Sequence, residues 1–446
     1  MKQIHCLAIG LLFMLGIGLI IGCDDYHEVV TEDGVTLKMK RYRPAVDAPF
    51  RENQQPILLL PGNMSNMNEF LVHTSEEKKK DYAAMELPAD AAEWAIGEPY
   101  IEEDPMKYYS LAHYLWVKGY DVWLGNYRGT GRKEYKSENG SNITNIDIWA
   151  CFDTPAFIEK VKEETGLKPV IGGHSTGSIV SEIYLQGAYI DIDEFNAADG
   201  KYIPHVKNDP ALAAIRNSEI KGFIGIDPAG LTPIATPLLL DNPLTWAVQG
   251  LPLRIPFDEI MVTLLGDHRL GAIPVLAIEV VMGAAKALAP VDITGIVDML
   301  YISNPQNINN YVEDFFARYA LSSFYMRGAS QFVDMALHLT LREHYKNGEE
   351  NKNRNVPPDP GTAGDDLYSY SENMYLMSVP SFFLLSELDG LVKTELVIES
   401  VIEAKEYNVN DEWYEMPGTG HMDVTASLNA PTFFYPKLGA WLEKIK

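Results

Sequence analysis

Short apolar strands alternate with helical segments along most of this chain, and that alternation limits its possible folds more than any other feature. Between the strands, residues 108–116 carry apolar side chains at the i, i+3, i+4, i+7 and i+8 positions of one helix face. Residues 154–166 and 178–186 predict further helices. Strands that alternate with helices form a mostly parallel sheet with helices on both faces. The runs of strand length are residues 57–60, 121–125, 170–172, 222–226, 381–385 and 413–416.

Two stretches interrupt this alternation. Residues 74–107 contain the charge run Glu76–Lys80, which predicts a solvated surface insertion. Residues 231–375 are longer, helical and apolar, and we interpret them as a helical cap, or lid. The predicted organisation is therefore a first part of the core at residues 23–230, the cap at 231–375, and a second part of the core at 376–446.

The most apolar part of the cap runs from Ile273 to Pro290 and contains only Glu279 and Lys286 as charges. It resembles a membrane span in composition, but its charges lie inside it and the strand pattern resumes afterwards. We therefore expect a buried or lid helix. The whole apolar segment 231–290 either forms part of a lid or of a pocket for an apolar ligand, or only packs the core of the cap.

The N-terminus predicts export. Met1 and Lys2 precede an apolar run from about Leu7 to Gly22, which is the plan of a secretory signal, and the run ends at Cys23. This ending resembles the lipobox of bacterial lipoproteins, so we predict that residues 1–22 are a signal peptide and that Cys23 is lipidated. The acyl chains would anchor the exported protein to a bacterial membrane. An uncleaved transmembrane anchor and an ordinary secretory signal are the alternatives.

Charge, cysteine content and motif spacing argue against nucleic-acid binding, an internal disulfide and a bound cofactor. The chain has 36 basic and 62 acidic residues, a net charge of -26, which repels phosphate backbones and argues against nucleic-acid binding. Because Cys6 lies in the leader and Cys23 at its end, Cys151 is left without a partner for an intramolecular disulfide. No metal-ligand spacing or dinucleotide-binding glycine motif stands out, so we expect neither a metal nor a cofactor.

The sequence Gly173-His174-Ser175-Thr176-Gly177 follows the strand at 170–172 and precedes a helix. A G-x-S-x-G pattern in that position is typical of a nucleophile elbow, a sharp turn that lifts the serine hydroxyl above the sheet. The flanking glycines let neighbouring backbone approach closely. Ser175 is therefore the candidate nucleophile.

A nucleophilic serine needs a base and an acid that orients the base, in the chain order Ser, acid, His. His421 lies in a glycine-containing loop just past the last strand and is the candidate base, whereas His174 is expected to pack. For the acid we prefer Asp389, which follows the strand ending at Ser386. Asp227 is the main rival because it follows an earlier strand.

Two other acidic residues were weighed. Glu387 is another candidate for the acid but lies closer to the end of the strand than Asp389 does, and Asp423 is interpreted as a helix-start carboxylate.

The negatively charged oxygen of the tetrahedral intermediate, the oxyanion, needs backbone N–H donors that are fixed before the reaction. We assign the amides of Thr176, directly after the nucleophile, and Asn63, in the loop after the first apolar strand.

The segment Tyr120–Gly129 reads YDVWLGNYRG and resembles a long motif of the acid lipase family, which includes lysosomal acid lipase and gastric lipase. Four further segments are similar to family segments in the same order, and the resemblance runs from about residue 28 to the C-terminus. These are Gly173–Gly177, Gly328–His338, Leu384–Val392 and Pro417–Asp423.

The resemblance implies an α/β-hydrolase fold with a mostly parallel central sheet and a large helical cap. It also implies Ser175 as nucleophile, Asp389 as acid and His421 as base, with Asn63 and Thr176 as oxyanion donors. The chain departs from the family at Pro61, where a histidine is usual, and at Thr176, where glutamine is usual. It also lacks a cysteine pair in the cap.

Together these features predict a serine hydrolase that cleaves lipid or other apolar acyl esters through an acyl-enzyme. An acyltransferase, thioesterase or polyester depolymerase would use the same site. A non-catalytic lipoprotein scaffold is the contrasting class, although such a role would not require a complete Ser, Asp and His set.

Overall fold

The structure is a computed structural model that describes residues 25–44, 55–228, 250–258, 304–355 and 366–446. The predicted signal peptide at 1–22, the lipidation site Cys23 and the apolar segment 273–290 lie outside the described residues. About half of the predicted cap does as well, including its start at residue 231, and the cap boundaries at 231 and 375 stay predictions.

A sheet of eight strands forms the centre of the molecule, in the spatial order β1-β2-β4-β3-β5-β6-β7-β8. The first three strands in that order pair antiparallel, and all the other neighbours pair parallel. The predicted mostly parallel sheet is thereby confirmed, with an N-terminal hairpin added at one edge. The strands are β1 Asp25–Val30, β2 Thr36–Tyr42, β3 Pro56–Leu60, β4 Asp121–Asn126, β5 Val170–His174, β6 Gly222–Ile226, β7 Ser381–Ser386 and β8 Glu412–Met416.

Helices cover both faces of the sheet because successive side chains of a strand point to opposite faces. In β3, Leu58 and Leu60 pack into one apolar cluster, and Ile57 and Leu59 pack into another. Among the described residues, the helices of eight or more residues are α3 Thr154–Thr165, α4 Thr176–Leu185, α6 Pro210–Glu219, α8 Met326–His338 and α10 Tyr435–Lys444. The shorter ones there are α1 Pro99–Glu103, α2 Leu111–Val117, α5 Ile192–Ala198, α7 Asn310–Phe315 and α9 Thr394–Val397, with a single further turn at Ile146–Ile148.

The insertion at residues 74–107 is only partly a solvated surface element. Glu76–Lys80 is largely exposed, as predicted. The remainder folds into short helical turns whose apolar side chains are buried against α7, so the prediction is wrong for this part. Irregularly spaced apolar residues give no periodic signal, which is why this small core was not evident in the sequence. Its buried side chains include Tyr82, Met85, Ala95, Ile101 and Met106.

A buried polar cluster joins the C-terminal part of the predicted cap to the core. The carboxylate of Asp147 accepts hydrogen bonds from Gln331 Nε2 at 2.6 Å, Tyr370 OH at 2.6 Å and the His344 N–H at 2.9 Å. Burial raises the pKa of Asp147 to about 6, although these donors oppose the shift. The cluster therefore ties α8, through Gln331, to the turn that contains Asp147.

Within the described ranges, no helix combines the length and the apolar character needed to cross a bilayer.

Candidate active site

Ser175 stands at a sharp turn between β5 and α4, at the carboxyl edge of the sheet. Its backbone has φ 52° and ψ -115°, a conformation that costs an L-residue on the order of 1–3 kcal/mol. The turn is held because the Ser175 N–H donates to the carbonyl of Ile226 at 2.9 Å, on the neighbouring strand β6. This strained strand-to-helix turn is the geometry of a nucleophile elbow.

The glycines on either side of Ser175 permit this turn. A Cβ on Gly177 would lie 2.1 Å from the carbonyl oxygen of Leu60, and a Cβ on Gly173 would lie 2.5 Å from the same oxygen. The backbone of the elbow therefore touches the backbone at the end of β3. This contact brings the loop after β3, which contains Asn63, next to the serine.

His421 and Asp389 meet at the same edge of the sheet. Nδ1 of His421 donates to Oδ2 of Asp389 at 2.6 Å, and both side chains are almost fully buried. The other carboxylate oxygen of Asp389 accepts the N–H groups of Leu391 at 2.7 Å and Val392 at 2.9 Å. Because Nδ1 carries the proton toward Asp389, Nε2 of His421 is available as a proton acceptor.

Asp227 supports the loop that carries Asp389. Its Oδ1 accepts the N–H of Ser386 at 2.6 Å, and the Ser386 hydroxyl donates to its Oδ2. Burial, with a further contribution from the charge of Asp389, raises the pKa of Asp227 well above its ordinary value, against the bonds from Ser386. Asp227 thus holds the end of β7 through Ser386, while Asp389 makes the bond to the imidazole.

The two residues predicted to supply the oxyanion donors are in contact. Thr176 is the first residue of α4, so its N–H has no acceptor within the helix. The N–H of Asn63 donates to Oγ1 of Thr176 at 3.1 Å, so the side chain of Thr176 occupies that donor in the free protein.

His174 packs, as predicted, but it also makes two polar contacts. Its Nδ1 is paired with Oε1 of Glu69, and its Nε2 donates to the backbone carbonyl of His421 at 2.8 Å. Burial alone would lower the pKa of His174, but the carboxylate of Glu69 more than reverses this and leaves the pKa raised. The sequence gives no local signal for Glu69, because the contact depends on a loop whose path is set by the tertiary fold.

Asp423 does not start a helix, and that prediction is wrong. Its Oδ1 accepts the N–H groups of Gly420 at 3.0 Å and Asn304 at 2.8 Å, which fixes the loop around His421 from within. Burial raises the pKa of Asp423 to about 7, although these N–H groups oppose the shift.

One group of side chains in the described part of the chain is compact enough to hold a metal ion. Ligand atoms of His174, Asp227 and His421 lie within 4.8 Å of one another. Both nitrogens of His174, both oxygens of Asp227 and Nδ1 of His421 already have hydrogen-bond or ion-pair partners. A metal would therefore have to displace the bonds that organise the site.

These features define the class of the protein. The sheet order, the elbow after β5 and the chain order Ser175, Asp389, His421 are those of the α/β-hydrolase fold, so the predicted fold class is confirmed.

Within that class, the sequence is similar to gastric and acid lipases, which confirms the resemblance seen in its motifs. Human gastric triacylglycerol lipase is 30% identical over 166 residues, covering 36% of this chain and 34% of the lipase. Lipase lipl-3 of Caenorhabditis elegans is 34% identical over 116 residues, covering 24% of this chain and 26% of that lipase. The chain thus matches about a third or less of the length of these relatives. No protein-family model matches it.

Among solved structures, the monoacylglycerol lipase of Paleococcus ferrophilus aligns with a TM-score of 0.43 and 14% identity, over 92% of this chain and 99% of that one.

Proposed function

We propose that this protein is a serine hydrolase that cleaves carboxylic esters of lipids or other apolar acyl groups. The observation that carries the proposal is the His421–Asp389 hydrogen bond at the same sheet edge as the strained Ser175 elbow. The similarity to lipases over part of the chain supports the choice of an ester as substrate.

In the proposed reaction, Oγ of Ser175 attacks the ester carbonyl while Nε2 of His421 takes its proton. Asp389 holds the imidazole in the required tautomer and stabilises the imidazolium. The negative oxygen of the tetrahedral intermediate is stabilised by the backbone N–H of Thr176 together with Asn63, whose N–H holds the Thr176 hydroxyl as a further donor. His421 then protonates the leaving alcohol, and water, activated by the same histidine, releases the acid from the acyl-enzyme.

The test is hydrolysis of p-nitrophenyl esters from acetate to palmitate by the full chain, beside Ser175→Ala. We expect the variant to lose roughly 10⁴-fold or more of the activity. Ser218→Ala is the matched control, because Ser218 is exposed on α6 and only caps a neighbouring carbonyl. Equal hydrolysis by wild type and Ser175→Ala would contradict the proposal.

Covalent labelling addresses the contrasting class of a non-catalytic scaffold. A fluorophosphonate is expected to label the wild-type protein at Ser175, identified by peptide mass spectrometry, and to leave Ser175→Ala unlabelled. A folded wild-type protein that takes up no label would favour the scaffold.

We also propose that the protein is exported and lipid-anchored through Cys23, a proposal supported by the N-terminal sequence alone. Metabolic labelling with a radioactive fatty acid tests it. Wild type is expected to carry the label and Cys23→Ser to lack it, and label that persists in the variant would contradict the assignment.

A further inference from the structure

We infer that Glu69 is a positioning residue, which acts through His174 to set the distance between two loops. One is the loop after β3 that contains Gly62 and Asn63, called the oxyanion loop, and the other carries His421. The inference rests on the proposed function above, because it assigns a role within the same reaction.

A buried chain of contacts joins the two loops. Oε2 of Glu69 accepts the N–H of Gly62 at 2.9 Å, and its Oε1 pairs with Nδ1 of His174. Nε2 of His174 in turn donates to the carbonyl of His421 at 2.8 Å. Glu69 and His174 are each 2% exposed, so solvent does not compete for these bonds.

The sheet alone does not set this spacing. Gly62 follows β3 and His421 follows β8, and β5, β6 and β7 lie between those two strands. His174 is the last residue of β5, so the Glu69–His174 pair crosses the edge of the sheet directly above the elbow. Without the Glu69–His174 pair, small shifts of the three intervening strands would add up and change the distance between the oxyanion donors and His421.

The packing around Gly62 shows how close this arrangement is. A Cβ on Gly62 would lie 3.2 Å from Nδ1 of His174 and 3.5 Å from Cβ of Ser175. Gly62 therefore leaves little room for a side chain between its loop, His174 and Ser175. A shift of about 1 Å in such an arrangement costs roughly 100-fold in rate.

Substitutions at Glu69 separate its two polar contacts, the hydrogen bond from Gly62 and the ion pair with His174, from its charge. In Glu69→Gln, the amide oxygen can still accept from Gly62 and the amide nitrogen can donate to a neutral His174, whose Nε2–H still reaches His421. Glu69→Leu removes both bonds at similar volume. Glu93→Leu is the matched control, because Glu93 is an exposed carboxylate in the 3₁₀ turn Glu93–Ala95, as Glu69 is a buried one in the 3₁₀ turn Met67–Glu69.

The measurement is hydrolysis of p-nitrophenyl butyrate, with kcat calculated per active site titrated by a fluorophosphonate. We expect Glu69→Leu to lower kcat about 100-fold with KM within about twofold, and Glu69→Gln to stay within about fivefold of wild type. A residue that only stabilised the fold would reduce the number of titrated sites and leave kcat per site unchanged. If Glu69→Leu does not fold, Glu69→Asp replaces it, with an expected loss of about tenfold because the shorter side chain cannot reach both partners.

A kcat per site for Glu69→Leu within threefold of wild type would overturn the inference. Equal losses in Glu69→Gln and Glu69→Leu would also overturn it, because the charge and not the bridge would then matter. If wild type and Ser175→Ala are equally inactive, the proposed function fails instead. The position of His421 is then read from its downfield imidazole proton by NMR: a resonance that is kept in Glu69→Gln and shifted in Glu69→Leu supports the inference, and one unchanged in both overturns it.

Discussion

Oδ2 of Asp389 lies 2.6 Å from Nδ1 of His421, although 31 residues separate them in the chain, from 390 to 420. The carboxylate is fixed on its other side by the N–H groups of Leu391 and Val392, so it presents one oxygen to the imidazole in a set direction. This relationship distinguishes the two acids that the sequence left in competition.

Asp389→Asn is expected to lower kcat by roughly 10³–10⁴-fold, because the asparagine amide favours the wrong tautomer of His421. Asp227→Asn is the matched comparison. The asparagine oxygen can still accept the Ser386 N–H, and its amide nitrogen can donate to the Ser386 hydroxyl, so an amide of the same shape replaces the carboxyl closely. We expect kcat of Asp227→Asn to stay within about tenfold of wild type in the same ester assay. Losses of the reverse order would assign the acid to Asp227.

Thr176→Val tests the side chain in front of the Asn63 amide. Because the Asn63 N–H donates to Oγ1 of Thr176, we expect the Thr176 hydroxyl, held in that position, to donate its own proton to the oxyanion. Valine keeps the shape but not the hydroxyl, so kcat should fall by about 10–100-fold, whereas Thr176→Ser should stay near wild type. Undiminished kcat in Thr176→Val would show that the freed Asn63 amide is itself the donor.

Gly177→Ala tests the contact between the elbow and β3. The new Cβ would meet the carbonyl oxygen of Leu60 at 2.1 Å, so backbone must move, and we expect a loss of about 1–3 kcal/mol in the free energy of unfolding. Gly328→Ala in α8 is the control, because nothing lies within 4 Å of its Cβ; there we expect a gain of up to about 1 kcal/mol. Denaturant unfolding measures both, and equal stabilities would contradict the steric argument.

Glu182 predicts a pH dependence of stability. It is buried in α4, neither carboxyl oxygen has a hydrogen-bond partner among the described residues, and burial raises its pKa from 4.5 to about 8. Between these two values the folded protein keeps a proton that the unfolded chain has released. The contribution of Glu182 to the free energy of unfolding therefore falls as the pH rises from about 4.5 to about 8.

Glu182→Gln removes this loss, so it should be more stable than wild type at pH 8, by on the order of 3 kcal/mol, and similar at pH 4.5. Glu163→Gln, at an exposed position on the neighbouring helix α3, is the control and should show no such difference. Parallel stability curves for wild type and Glu182→Gln between these pH values would contradict the assignment.

The sequence by itself determined the parts of the protein that depend on local order. Apolar runs bounded by turn residues identified the six strands from β3 to β8, and the elbow was evident because a strand, a G-x-S-x-G turn and a helix follow one another directly. Parallel strands also bring the residues after their carboxyl ends to one edge, so Ser175, Asp389 and His421 could be expected to lie close together.

The tertiary structure decided what depends on contacts between distant segments. Asp389 and Asp227 both follow strands, and only the path of each loop determines which carboxylate reaches His421 and which holds Ser386. The role of Glu69 is not visible in the sequence, because its partners Gly62 and His174 lie at the ends of two different strands, β3 and β5. A pattern in sequence reports periodicity and turn chemistry, whereas the direction of a buried side chain is set by everything packed around it.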